Sequence, residues 1–336
     1  MDKRKERVMT HRLTELFPGE ERGFWEKLSI RQPELSEIRL RAGQPIALRI
    51  KGQEYFVDKK GEVTNSVTDA RCISQNEVQS ILLHNCDYSP YAYEEEIRQG
   101  FLTVPGGHRI GMVGQAVTDG QGMVHTLKNI SALHIRIAHE IPGAADRILP
   151  YVYRDGRVQN ILIISPPGCG KTTLLRDLIR QISDGNSYGA GRTVGVVDER
   201  GEIGACHMGM AQHQLGIRTD VLDACPKGMG LMMLIRSMAP EVIAVDEIGG
   251  QEDLQAVGYG ATCGISVLAT IHGSGMEDLQ AKELWQELHR CFEVFVVLAK
   301  QQGVPGFIIQ VEEKKDAQIT GRSIYINRLL RDGALL

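Results

Sequence analysis

No run of about 18 consecutive apolar residues occurs in this chain, so nothing in it reads as a membrane-spanning helix. The basic N-terminal stretch MDKRKERVMTHRLTELF also lacks the apolar core of a secretory signal. Aromatic residues make up only 5% of the chain, and the net charge is a slight −4. Stacking bases needs aromatic faces and tracking phosphates needs a basic field, so no direct nucleic-acid contact is expected. Disulfide chemistry is equally poorly served. The seven cysteines, at 72, 86, 169, 206, 225, 263 and 291, include no CxxC pair, and an odd, scattered set fits a reducing cytosol. Cys206, His207 and Cys225 are too irregularly spaced for a metal site and read as free thiols. What remains is ordinary globular composition, 42% hydrophobic and 24% charged. The expectation is a soluble, cytoplasmic protein whose membrane role, if any, comes through a partner.

At 336 residues the chain is long enough for two domains. Residues 1–145 read as α+β. Ser36–Arg41 alternates, with Ile38 and Leu40 on one face, and Ile46–Ile50 and Glu54–Val57 follow as strands across the turns Ala42-Gly43 and Lys51-Gly52. Ser74-x-x-Glu77 is a capping box ahead of Val78, Ile81 and Leu82 at helical spacing. Strand-like runs come next at His108–Val117 and Leu133–Ile137, with an Asp119-Gly120 turn between them. Ile141-Pro142-Gly143 then breaks the pattern. Residues 146–336 read as an α/β domain, because short apolar runs at Ile161–Ile164, Val194–Val197, Val242–Val245 and Ser266–Ala269 alternate with helical segments. Such runs suit the centre of a largely parallel sheet covered on both faces. A terminal hairpin is expected from Val294–Leu298 and Phe307–Val311 around Gln302-Gly303, and Met229, Met232 and Met233 are expected to be core packing on a helix.

The strongest chemical signal is Ser165-Pro166-Pro167-Gly168-Cys169-Gly170-Lys171-Thr172-Thr173, set between an apolar strand and a helix. Glycines allow a tight loop whose N–H groups turn inward on a β-phosphate, and the helix start adds its positive end. In that pattern Lys171 reaches the β- and γ-phosphates of ATP and the Thr172 hydroxyl ligates Mg²⁺. Ser165 stands where the pattern usually opens with Gly, a small and turn-compatible replacement. About 75 residues on, the strand Val242–Val245 ends in Asp246 and Glu247, a Walker B pattern. Asp246 suits the Mg²⁺ shell, and Glu247 suits a base or orienting group for the attacking water. Two further strand ends carry Asp198-Glu199-Arg200-Gly201-Glu202 and Thr270-Ile271-His272-Gly273. All four signals should fall at one sheet edge, where α/β folds bind ligands. Arg200, Arg218 and Arg236 are the arginines available to a transferring phosphate, in cis or from a neighbouring copy.

The order of P-loop, acidic box, Walker B with Glu, and Thr-x-His box resembles the ring-forming secretion ATPases of type II, type IV pilus and type IV systems. The acidic box of that family reads Glu-Asp-x-x-Glu, against Asp198-Glu199-Arg200-Gly201-Glu202 in this chain, and its Leu-Arg pair before Walker B is matched by Ile235-Arg236. The family's Arg-Asp after the Walker B Glu is replaced by Gly249-Gly250. The resemblance implies a RecA-like P-loop fold, ATP and Mg²⁺ as ligands, and site roles for Glu199, Glu202, Arg236, Glu247 and His272. Asp220 through Gly249, Glu37-Ile-Arg-Leu-Arg-Ala-Gly-Gln-Pro and Pro105-Gly-Gly-His-Arg-Ile-Gly more narrowly resemble a sporulation branch from endospore-forming bacteria. That implies a cytoplasmic motor in the mother cell. It would form a ring, a hexamer in the family, and energise membrane-embedded components of a channel complex. A nucleic-acid-linked P-loop ATPase is the alternative reading. A binder without turnover would have no need of Glu247 beside Asp246.

Overall fold

The structure, a computed structural model, describes residues 13–31, 34–119, 122–301, 304–315 and 318–322. Gly120 of the expected Asp119-Gly120 turn, the Gln302-Gly303 hairpin tip and the basic residues 1–12 lie outside those described. The chain forms two compact units, Met1–His139 and Glu140–Leu335.

The first unit is built on a seven-stranded sheet in the order β4-β3-β2-β1-β7-β6-β5. Its strands are β1 (Leu35–Arg41), β2 (Ala47–Ile50), β3 (Gln53–Val57), β4 (Val63–Thr64), β5 (Phe101–Val104), β6 (His108–Thr118) and β7 (Val124–Arg136). Every neighbouring pair is antiparallel. The alternation expected of β1 is what buries it: Ile38 and Leu40 join Leu48, Ile110, Leu133 and Ile135 in one core while Glu37 and Arg39 stay on the other face. Helix α1 (Arg22–Arg31) brings Trp25, stacked 3.9 Å from Phe17, to that core. Helix α2 (Gln75–Asn85) opens on Ser74 with both halves of the capping box formed. A short helix α3 (Glu94–Gln99) precedes β5. Strand β7 begins nine residues earlier than the expected Leu133, at Val124, and its added half is mostly exposed. Ladder hydrogen bonds to β6 build that half, where Ile130 is the one buried residue, so no apolar alternation marks it.

The second unit carries an eight-stranded sheet in the order β12-β11-β13-β14-β10-β15-β16-β17. After a short helix α4 (Leu149–Val152) and the small ribbon β8 (Tyr153–Arg154) with β9 (Arg157–Val158), the sheet runs through β10 (Ile161–Ser165), β11 (Val194–Asp198), β12 (Thr219–Asp223), β13 (Val242–Glu247), β14 (Ser266–His272), β15 (Val294–Gln301), β16 (Val304–Lys315) and β17 (Gln318–Arg322). Strands β10 to β15 pair in parallel, and β16 and β17 close the sheet antiparallel. All five residues of β10 and of β11 are buried, as strands covered on both faces require. The covering helices are α5 (Lys171–Asp184), α6 (Lys227–Ser237), α7 (Gln251–Thr262), α8 (Met276–Gln280) and α9 (Trp285–Cys291). This is the expected α/β fold with a largely parallel sheet, preceded by a smaller α+β unit.

One expectation needs correction, and one strand was not expected. Met229 and Met233 are exposed, while Gly230, Leu231 and Leu234 are the buried residues on α6. Strand β12 has no counterpart in the apolar runs of the sequence. It is an edge strand, Thr-Asp-Val-Leu-Asp, with no fully buried residue, so it needs no apolar run.

Candidate functional site

The carboxyl ends of β10, β11, β13 and β14 set the site. Strand β10 delivers Ser165, and the chain turns through Pro166, Pro167, Gly168, Cys169 and Gly170 into α5, whose first residue is Lys171 and which also carries Thr172 and Thr173. Gly168 and Gly170 take φ of 68° and 88°, a region that an L side chain rarely adopts, and this is why glycines occupy those two places. Ser165 is not among the positive-φ residues. It continues the strand, and its hydroxyl donates to the Pro166 carbonyl at 2.9 Å. Backbone freedom is therefore not needed there, which accounts for Ser in place of Gly. Cys169 is buried in the hydrophobic core that Ile163, Leu174 and Leu178 share.

Strand β14 runs beside β10 with His272 opposite Ser165. The Lys171 Nζ lies 3.1 Å from His272 Nδ1 and 3.0 Å from Nε2. His272 Nε2 lies 3.1 Å from Glu247 Oε2, and Arg200 stands 3.6 Å from the same oxygen. Lys171, His272, Glu247 and Arg200 thus form one chain of contacts across three strand ends. His272 and Thr270 lie within β14 rather than just past it, because the strand continues three residues beyond the expected Ala269. The Thr270 hydroxyl is buried without a hydrogen-bond partner.

Asp246 is 2% exposed, and its Oδ1 has no hydrogen-bond partner. Burial pushes its pKa up to about 6, with the charges of Glu202 and Asp198 adding to the effect and Lys227 opposing it. A buried carboxylate oxygen with no protein partner, at the carboxyl end of β13, is a ligand suited to a hard cation. Among the described residues no group of three or more His, Cys, Asp or Glu side chains gathers as a metal cage.

The acidic box is shaped by its first member. Asp198, fully buried, accepts from the backbone N–H groups of Glu202, Ile203 and Gly204 at 2.9, 3.0 and 2.7 Å. The loop therefore wraps round one carboxylate and leaves Glu199 and Glu202 on its outer side. Glu199 pairs with Lys227. Arg176, on α5, has its pKa lowered by burial, against the charges of Glu140, Asp198, Glu202 and Asp246 around it. Neither Lys227 nor Arg176 is recognisable as a site residue in the sequence. A lysine at a helix start, directly after Pro226, is the one signal that marks either.

Two arginines stand elsewhere. Arg236 is exposed in the last turn of α6, the end that leads back to the start of β13 and so lies at the opposite edge of the sheet from Lys171. Arg218, expected to be available to a transferring phosphate, instead donates to the Ser183 carbonyl at 2.9 Å, near the end of α5. Gly249-Gly250 leads into α7, and the Gly249 N–H donates to Asp253 Oδ2 at 2.8 Å.

This fold is shared with solved ATPases, among them a pilus retraction motor. The ATPase DotB of Legionella pneumophila superposes with a TM-score of 0.54 at 16% identity, over 83% of this chain and 77% of that one. The pilus retraction motor PilT with bound ADP gives 0.52 at 18% identity, over 81% and 77%. The sequence model of the family described as "Sporulation stage III, protein AA" matches residues 5–319, and the chain belongs to that family. Stage III sporulation protein AA of Bacillus subtilis (strain 168) is 41% identical over 294 residues, 86% of this chain and 90% of its own length. A more distant relative is the protein SEEDLING PLASTID DEVELOPMENT 1 of Arabidopsis thaliana, 26% identical over 60% of this chain and 32% of its own length.

Proposed function

We propose that this chain is an Mg-ATP hydrolase of the secretion-motor kind, working as a ring in a sporulation complex at a membrane. The observation that carries this reading is the contact of Lys171, at the end of the glycine loop, with His272 and of His272 with Glu247, beside the unpartnered carboxylate of Asp246 on the same strand end. Loop N–H groups and Lys171 bind the β- and γ-phosphates of ATP. Glu247 holds the attacking water and takes its proton. His272, between Lys171 and Glu247, has a hydrogen bond to offer the γ-phosphate side once Lys171 engages the phosphates. Thr172 and Asp246 are the residues to hold Mg²⁺, which neutralises developing phosphate charge and arrives with the phosphates rather than in a protein cage.

Family membership supports the sporulation setting, and the fold shared with secretion motors supports a ring, a hexamer in our reading. No helix among the described residues is long and apolar enough to cross a membrane. In this reading, attachment on the mother-cell side is through membrane-embedded partners. On the same reading the first unit, Met1–His139, is the docking domain and the second, Glu140–Leu335, is the motor.

The test is ATP turnover by the purified chain with Mg²⁺, alongside Glu247→Gln. The variant is expected to bind ATP like the parent and lose single-turnover hydrolysis by about 10²-fold or more, since the amide cannot take a proton. Parent-like hydrolysis in that variant would give the proton to another group, and no turnover by the parent under any condition would end the hydrolase reading.

A further inference from the structure

Helix α6 opens with a residue its local setting disfavours. Lys227 is the first residue of the helix, directly after Pro226. A helix N-terminus carries partial positive charge and favours Asp or Glu over Lys. The Lys227 side chain is also only 6% exposed, and a buried ammonium loses hydration that an ion pair restores in part. Dipole and burial both argue against lysine at this place, so the reason for it lies in what it touches.

Its Nζ donates to Glu199 Oε2, in the acidic box at the end of β11. Its charge also acts on Asp246, at the end of the adjacent strand β13. The pair is asymmetric, because the Glu199 side chain is 37% exposed. The lysine reaches outward from the buried side and fixes a carboxylate whose outer face meets solvent. A purely structural tie between α6 and β11 is redundant here. Leu231 and Leu234 already bury the helix, and the Ala224 N–H donates to the Asp198 carbonyl at 3.0 Å to hold the connecting loop.

We propose that Lys227 is a positioning residue of the phosphate site, holding the Glu199 carboxylate at the sheet edge it shares with Asp246 and Glu247. Without the lysine, Glu199 is a surface glutamate free to swing among rotamers. With it, an acceptor stands fixed beside the site when the hydrolytic water arrives. This role rests on the hydrolase reading above.

The experiment is steady-state ATP hydrolysis by the full chain with Mg²⁺, read as kcat and KM separately, with melting temperatures measured in parallel. Lys227→Met is expected to lower kcat about tenfold or more with KM within about threefold, because the group acts on geometry rather than on substrate affinity. Lys227→Arg keeps a buried cation in reach of Glu199 and is expected to stay within about threefold of the parent kcat. Glu199→Gln should lose about as much as Lys227→Met, and the double variant no more than either, since they remove one interaction. A folded Lys227→Met with parent kcat, an arginine variant no better than methionine, or losses that multiply in the double variant would each overturn the role. If Lys227→Met fails to fold, Glu199→Gln with parent kcat overturns it in the same way. An active parent with an insensitive Lys227→Met removes this role alone, whereas an inactive parent removes the hydrolase reading with it.

Discussion

At the scale of single residues the site is built against its own stability. Asp246 is buried with an oxygen unpaired, and its pKa is raised from 3.8 to about 6 by burial and by the charges of Glu202 and Asp198. A carboxyl whose folded-state pKa is raised favours the fold in its protonated form. That contribution is whole below about pH 4 and is lost as pH rises through about 6. Asp246→Asn should therefore stabilise the ligand-free chain at pH 7 by roughly 1–3 kcal/mol, with the gain vanishing near pH 4. Thermal melts at the two pH values check this, and an unchanged or lower melting point at pH 7 would refute it. The same variant should lose Mg-dependent nucleotide affinity. His272 gives the complementary case. It bridges Lys171 and Glu247 from the end of β14, with its Nδ1 also 3.3 Å from the Ser165 carbonyl. His272→Ala is expected to leave ATP affinity within several-fold and cut turnover about tenfold, on the order of 1.4 kcal/mol in barrier. Full turnover in a folded variant would leave the imidazole a structural role.

At the scale of elements, the parts that follow local rules were legible and the others were not. The capping box at Ser74 and Glu77 was readable because it lies within four residues, and the Ser74 N–H does meet Glu77 Oε2 at 2.7 Å. Ser74→Ala should cost the first unit about 0.5–2 kcal/mol, seen as a lower midpoint in denaturant with unchanged ATP turnover. Strands β10, β11, β13 and β14 were readable because both their faces are covered, which demands apolar side chains throughout. Helix α6 was misread in part. Its sequence, KGMGLMMLIRS, is apolar nearly all round, so periodicity does not say which methionines face the sheet. Strand β12 escaped notice for the opposite reason, since an edge strand is fixed by its ladder to β11 and needs no apolar signature.

For the molecule as a whole, the ring is the reading that the chain alone leaves open to experiment. Arg236, exposed at the far edge from Lys171, has no place in its own chain's site. A mass above the monomer is expected in light scattering when a non-hydrolysable ATP analogue and Mg²⁺ are added. A strictly monomeric mass at high protein concentration would count against the ring. The sequence by itself determined the phosphate loop, the Walker B carboxylates and the parallel core. Each of these is a contiguous stretch whose chemistry follows from residue types at fixed spacing. Tertiary structure alone decided that Lys171, Glu247 and His272 touch, that Lys227 is buried against Glu199, and that Arg236 is turned away. Those relations join residues 25 to 101 positions apart in the chain. They depend on the order in which strands lie side by side in the sheet, which no local pattern of side chains records.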